Sequence, residues 1–423
     1  MVSMKKNKMN YFKKENSGLS INKLERLAAA FRNAMSNGDF LQARKNCEAV
    51  LRFTPGNPSV IGDYALTLMR TGEYQKAYDI YHSMFVQKEK IHFQGNWIDG
   101  LAEVCGWLDK KEELQHYGHY ALEMADRQYR QGAVYAFPSS QPPAFAPVQK
   151  NKNVVSFSLY GTAPRYCETL IRNIELSSDF YPDWACRVYH DNTVPVSVLS
   201  KLHELGAQLV DMSHEKIIPP TLWRFLVIDD PDVTRYLIRD ADSLFSEKEV
   251  AAVQEWLQSS CWFHHMRDYF THTELMLAGM WGGCRGIFPS VKQLIEEFVA
   301  NDKGPERYTD QHFLRAALWP TVRTSILNHD EIFLFHNARK YPSHLPDRWP
   351  QNNFHIGSNA SYSSMNGELK HSGKNEVQIE VESAGFVRRY TAKVRNDKWR
   401  LQVPFFLIDE FQQAKLKVSM LDD

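Results

Sequence analysis

Between Asn153 and Asp242 the chain repeats one pattern, a short run of β-branched and aromatic residues followed by a segment of helical spacing. NVVSFSLYG (153–161) reads as a strand ending in glycine, and RYCETLIRNIELSSDF after it has the spacing of a helix. ACRVYHD (185–191), AQLVDM (207–212) and TRYLIRDAD (234–242) read as three more strands, with a helix over 196–205. Apolar strands alternating with helices predict an α/β domain whose mostly parallel sheet is covered on both sides. Ligands of such sheets gather at the carboxyl ends of the strands, where Tyr160, Asp191 and Asp240 fall. No G-x-G-x-x-G follows the first strand and no G-x-x-x-x-G-K-[ST] occurs, which argues against dinucleotide and ATPase phosphate loops.

Upstream, FPSSQPPAFAP (137–147) holds too much proline to continue a helix and marks a linker over 133–151. Before it the chain is helical and repetitive. GDFLQARKNCEAVLRFTPGNP begins at Gly38 and GEYQKAYDIYHSMF at Gly72, an offset of 72 − 38 = 34 residues, with Phe40 matching Tyr74 and Ala43 matching Ala77. Glycine ends the first helix of each unit, and the small alanine lets paired helices approach. The period resembles the tetratricopeptide repeat, giving a repeat-like helical domain over 21–132. A third unit, around WIDGLAEVCGWLDKKEELQHYGHYALEMA, lacks the glycine and the small residue at the expected offsets. Such a module is a surface for a protein partner or for self-association, or it only supports the next domain. Residues 1–20 form a basic tail expected to be disordered, with contact to an anionic membrane surface as the alternative.

Asp240 and Asp242 stand two apart just beyond Tyr236-Leu237-Ile238. In extended chain such side chains share a face, so two carboxylates converge, which is costly without a counter-charge. A divalent ion answers that cost, since Mg²⁺ is commonly held by one or two carboxylates plus substrate phosphates and neutralises charge on a leaving diphosphate. Arg224 and Arg239 offer guanidiniums that match phosphate geometry. The competing reading of any D-x-D is a solvated turn.

The segment RYLIRDADSLFSEKEVAAVQEWLQSS resembles the centre of nucleotide-sugar glycosyltransferases with the GT-A fold. More narrowly it resembles bacterial enzymes of capsule or surface-polysaccharide assembly that carry tetratricopeptide-like repeats. The resemblance covers roughly 150–345 and places a GT-A-like catalytic domain over 152–365. It implies a Mn²⁺ or Mg²⁺ ion on Asp240 and Asp242, a nucleotide-sugar donor, and a glycan or lipid-linked acceptor. It also implies a carboxylate near the acceptor, for which Asp310 is the first candidate base and Asp268 the second; Asp310 equally suits a helix N-cap. A further metal ligand is implied from the C-terminal segment, where His329, His336 and His355 are available and His355, ahead of Gly357, is favoured.

Other residues are candidates on their chemistry. CWFHHMRDYFTH gathers His264, His265, Arg267, Asp268 and His272; adjacent histidines point apart in a strand, so a sugar- or phosphate-binding strand and loop using Arg267 suits it better than structural zinc. In LMLAGMWGGCRG, Trp281 and Gly282 suit a wall against a sugar ring, with a core tryptophan on a glycine-rich turn as the alternative. Glu247–Leu257 is an amphipathic helix whose approach Ser243 caps. Alternation in VQIEV, RYTAKV, WRLQV and KLKVSM predicts a β-rich C-terminal extension over 366–423.

Fifty basic residues balance fifty acidic ones, which argues against a general nucleic-acid binder. No run reaches the ~18 apolar residues of a membrane span, no apolar segment follows the basic start, and the six cysteines are scattered without CxxC. The expectation is a cytoplasmic protein, peripheral at the inner membrane face if the tail binds there. Two other functions remain open: a scaffold whose α/β domain is inactive, or another metal-dependent nucleotidyl- or phosphoryl-transfer enzyme, which would need further carboxylates for a second ion.

Overall fold

The computed structural model describes residues 22–88, 97–301, 308–349, 351, 354–369 and 373–421; the expected basic tail, 1–20, lies outside them. The chain divides into two compact units, 1–124 and 125–423.

The first unit is built from helices α1 (22–36), α2 (Phe40–Leu51), α3 (Pro58–Arg70), α4 (Tyr74–Gln87), α5 (Trp97–Trp107) and α6 (Lys111–Tyr129), the last of which runs through the division. Gly38 and Gly72, at φ +71° and +83°, turn α1 into α2 and α3 into α4, a backbone conformation that is cheap without a Cβ. Ala43 and Ala77 are fully buried where the paired helices meet. The third hairpin turns at Asp109 with φ +53°. A short polar side chain tolerates the left-handed region, so the missing glycine does not cost the third unit its turn.

The second unit is organised on a seven-stranded sheet. In chain order its elements are β1 (Asn153–Leu159), α7 (Pro164–Phe180), β2 (Ala185–His190), α8 (Val196–Glu204), β3 (Gln208–Asp211), a 3-10 segment (Pro220–Asp229), β4 (Arg235–Arg239), α9 (Glu247–Leu257), β5 (Phe263–Arg267), β6 (Met280–Cys284), α10 (Val291–Asn301), α11 (Thr309–Phe313), α12 (Trp319–Val322) and β7 (Ile326–Asp330). The strand order is β3-β2-β1-β4-β6-β5-β7. The first four strands pair in parallel, as do β5 and β7, while β6 runs antiparallel between β4 and β5. The chain works outward from β1 to β3 and then returns across β1 to β4. The crevice beyond β1 and β4 is therefore a topological switch point, the place where open α/β sheets bind ligands.

Three expectations change. The glycine-rich 276–286 stretch borders the cleft through Leu277, Ala278, Gly279 and Met280, but Trp281 and Gly282 do not wall a site; they lie in β6, in the sheet, with Trp281 fully buried. A Cβ on Gly282 would lie 2.6 Å from the Tyr236 carbonyl, so the glycine serves strand packing. Ser246 rather than Ser243 caps α9, accepting the Glu249 N–H at 3.2 Å. The proline-rich 133–151 stretch packs onto the sheet unit: Tyr135 N–H donates to Thr321 Oγ1 (3.0 Å), and Arg235 donates to the Pro143 carbonyl (2.7 Å). Proline lacks a donor but keeps its acceptor, and Arg235 uses it.

The C-terminal strands β8 (Ser363–Glu368), β9 (Glu376–Ser383), β10 (Phe386–Arg395), β11 (Lys398–Val403) and β12 (Lys417–Leu421), with helix α13 (Phe405–Gln412), form an antiparallel sheet in the order β12-β9-β10-β11-β8. It is joined to α7 by a buried ion pair, Arg388 to Glu168 at 2.7 and 3.0 Å, with the Tyr390 hydroxyl on the same carboxylate. Gln402 donates to Ser361 O and the Phe405 N–H to Ala360 O, so the sheet also fastens the loop that ends at the cleft. Among the described residues no helix is long and apolar enough to cross a membrane. All six cysteines are unpaired.

Candidate functional site

β4 ends at Arg239, so Asp240 and Asp242 sit just past the carboxyl end of a strand whose residues are all buried. The carboxylates face a cleft of about 570 Å³ lined by Tyr160, Arg165, Arg224, His272, Gly279 and Asp310 among others. Each carries a guanidinium partner. Arg224 NH1 donates to Asp240 and to the Arg239 carbonyl (3.1 Å), while its NH2 donates to Asp310 at 2.9 Å. Arg165 donates to Asp242 Oδ2 through Nε (3.1 Å) and NH2. Three carboxylates thus meet two arginines at the switch point.

The backbone explains the placement. After β1 the chain turns through Gly161 and enters α7 with Pro164 in its first turn. Proline suits that position because its missing N–H would be unpaired anyway. Arg165 follows immediately and points its charge across to the β4 end. Arg224 comes from the buried 3-10 segment, its own N–H bonded to Ser158 Oγ at 3.0 Å. Gly279 makes room for the acidic pair: a Cβ there would stand 2.0 Å from Asp240 Oδ2. The Ala360 N–H donates to the Asp242 carbonyl at 2.9 Å, tying the motif to the C-terminal loop.

The electrostatics follow from enclosure. Burial, and then the neighbouring Asp240, push the Asp242 carboxyl above the usual carboxylate range against the pull of Arg165. Burial also raises Asp310, with Arg224 pulling it back and Asp240 adding to the rise. Two carboxylates at one strand end, one of them raised, concentrate negative charge that a cation would relieve. Among the described residues no three His, Cys, Asp or Glu side chains stand together as a ready metal cage. The acidic pair suits an ion completed by water and phosphate oxygens.

A second cavity, about 740 Å³, opens beyond the ends of β1, β2 and β3. It shares Tyr160 and Thr221 with the first and adds Asp191, Met212, Ile218 and Trp223. The two cavities run side by side along the carboxyl edge of the sheet.

No protein-family model matches the sequence, and no curated protein matches it. Among solved structures the chain is similar to an O-GlcNAc transferase mutant from Thermobaculum terrenum, at 15% identity and a TM-score of 0.29, over 52% of this chain and 46% of that one. A mycobacterial protein gives 14% identity and a TM-score of 0.26, over 34% of this chain and 58% of that one. A mannosyltransferase from Pyrobaculum calidifontis, in complex with GDP-Man and Mn²⁺, gives 13% identity and a TM-score of 0.30, over 56% and 67%. The chain spans about half the length of the first of these, 46%. These likenesses are slight, and the geometry of the cleft bears on function independently of them.

Of the residues singled out in the sequence, Asp240, Asp242, Asp310, Arg224, Tyr160 and His272 share the first cleft, and Asp191 and Tyr160 the second. The others lie elsewhere. Arg239 is buried against Glu249 at 2.6 Å, and Arg267 against Asp330 at 3.2 Å. Trp281 and Gly282 are sheet core. Asp268 sits behind the cleft, accepting from Lys248 (3.3 Å) and from the Ile356 N–H (3.1 Å). His355 stacks flat on Tyr269, centroids 3.7 Å apart, and is not among the residues lining the cleft; Gly357 and Asn359 are. Asp310 is not an N-cap, since Tyr308 holds that position and Asp310 lies inside α11. His264 bonds His329 (2.9 Å); His265 bonds Asn328 (2.9 Å) and accepts the Leu277 N–H (3.0 Å), which fixes the cleft wall rather than a zinc ion. Arg165 escaped the sequence reading. Its signal was Pro164 opening a helix directly after the first strand.

Proposed function

We propose that the protein transfers a sugar from a nucleotide-sugar to an acceptor hydroxyl, with a Mn²⁺ or Mg²⁺ ion on Asp240 and Asp242. The observation that carries this reading is the convergence of Asp240, Asp242, Arg224 and Arg165 at the switch point of the sheet. Bound there, the ion supplies Lewis-acid neutralisation of the leaving diphosphate. The chain's own residues do the rest. Arg224, locked between two carboxylates, and Arg165 offer guanidiniums to phosphate oxygens. The N-terminal end of α7 adds the positive end of its dipole. The cavity of Tyr160, Asp191 and Trp223 takes the nucleoside, leaving the sugar in the cleft beside Asp310 and His272. Asp310 is the carboxylate we assign as base, and burial raises its basicity toward that task.

The GT-A-like reading of the domain is supported by an acidic pair that follows a central strand of a mixed sheet. Its narrower form is assembly of bacterial polysaccharide or glycoconjugate, on a glycan or lipid-linked acceptor, with the helical unit as a partner or self-association surface. That form rests on the resemblance of Arg235–Ser260 and on the 34-residue offset of the helical units. Location in the cytoplasm, with peripheral contact at the inner membrane face, belongs to the same reading.

The test is a panel of nucleotide-sugars with Mn²⁺, read by mass spectrometry for release of nucleoside diphosphate. One donor should turn over, and Asp240→Asn or Asp242→Asn should lower the rate by about 10²–10³ while the fold persists. Asp310→Asn should keep donor binding and lose transfer. If no nucleoside diphosphate binds even with Mn²⁺, the reading fails.

A further inference from the structure

We propose that Arg165 is a hand-over residue: it occupies Asp242 before the ion and the donor arrive, and moves to the donor's diphosphate when they do. This rests on the reading that Asp240 and Asp242 hold a divalent ion.

The two arginines of the cleft are built differently. Arg224 is almost wholly enclosed, its side chain 6% exposed, and its guanidinium is fixed at both ends, to Asp310 on one side and to Asp240 and the Arg239 carbonyl on the other. Arg165 has a side chain 33% exposed, and among the described residues its hydrogen bonds go to Asp242. Its guanidinium also lies over the Tyr166 ring, 4.7 Å from the centroid. It stands in the first turn of α7 with open cleft beside it. One guanidinium is therefore a fixed wall, and the other is tethered at a single carboxylate.

Both Arg165 bonds fall on Oδ2 of Asp242, so Oδ1 is left for an ion. An ion on Oδ1 would stand within one carboxylate's width of the guanidinium. Like charges at that separation in a half-enclosed site repel strongly. A diphosphate relieves this repulsion. It brings negative charge to the ion, and its oxygens match the guanidinium fork better than a shared carboxylate oxygen does. Arg165 then opposes the bare ion and favours the ion–diphosphate pair, so the chain selects for a metal that comes with its donor.

The full-length chain is titrated with Mn²⁺ alone, free Mn²⁺ being read by electron paramagnetic resonance, and then with inorganic pyrophosphate at saturating Mn²⁺ by calorimetry. Arg165→Gln should bind bare Mn²⁺ about three- to tenfold tighter and pyrophosphate about tenfold weaker, the scale of one half-exposed ion pair. Arg165→Lys should fall between wild type and Arg165→Gln in both titrations. Thermal melts matched to wild type show that the fold persists; where Arg165→Gln does not match, Arg165→Lys decides alone. Two changes of the same sign, or no change in either, overturn the hand-over. If wild type binds Mn²⁺ neither alone nor with pyrophosphate, the ion reading itself fails and the hand-over with it.

Discussion

Arg239 and Asp240 are neighbours in the chain, yet their charges answer to different surroundings. Arg239, still in β4, faces the interior with its side chain 4% exposed, and pairs there with Glu249, which also holds the Tyr181 hydroxyl. Its remaining bonds go to the Ile238 and Trp281 carbonyls. The Arg267–Asp330 pair is similar: neither side chain is exposed, and Asp330 takes the N–H groups of Ile332, Phe333 and Phe335 as well. One residue on, at Asp240, the same chemistry opens onto a cavity and is shared among three carboxylates and two guanidiniums. The interior pairs are closed off by the fold, whereas the cleft group keeps oxygens that a ligand can use. Arginine beside carboxylate is thus not itself a mark of a site; access to a cavity is.

The comparison breaks most visibly on stability. Arg239→Ala strands Glu249 in the interior and should cost about 3–5 kcal/mol in urea unfolding. Asp242→Asn leaves only the part-exposed Arg165 unpaired and should cost less than about 1 kcal/mol, while losing Mn²⁺-dependent release. If Arg239→Ala proves the milder of the two, the interior pair is not the structural one.

These two surroundings also show what the sequence could and could not reveal. The strands β1 to β4 and helix α9 were legible because apolar period and helix spacing are local properties. The acidic pair was legible because it follows an apolar strand. Arg224, Arg239 and Arg267 looked alike, since nothing local says which arginine meets a cavity. β6 was read as a glycine-rich wall because MWGGC carries two glycines where a strand former is expected; cross-strand fit against Tyr236, a long-range property, decides it. β8 (SSMNGE) has weak strand character and is held as an edge by β11. Arg165 was missed because its partner lies 77 residues away.

Gly279→Ala tests how finely the cleft is built. The new Cβ would stand 2.0 Å from Asp240 Oδ2, so either the backbone at 279 or the carboxylate must shift. Small-to-large changes in packed surroundings cost about 1–3 kcal/mol. If the carboxylate yields, Mn²⁺-dependent pyrophosphate binding should weaken about tenfold, a displacement worth about 1.4 kcal/mol. Binding unchanged in a variant with wild-type stability would mean that Asp240 does not need the place the glycine leaves it.

The smallest effect concerns Asp268, the carboxylate just behind the cleft. Burial pushes its pKa up to about 6, with Lys248 and the Ile356 N–H pulling the other way. Its unfolded value is about 3.9, so the folded chain holds this proton more tightly. The stability that protonation contributes is fully present below about pH 4 and is lost as pH rises through 6. Two pKa units correspond to about 2–3 kcal/mol. Asp268→Asn removes that fall but leaves Lys248 without its partner, so the net gain at pH 8 should be only about 1 kcal/mol. Urea unfolding of both proteins at pH 4.5 and 8 measures it: the variant should gain on wild type as pH rises. A difference that stays constant between the two pH values would place Asp268 among the ionised interior carboxylates that the fold pairs, with Asp330 and Glu249.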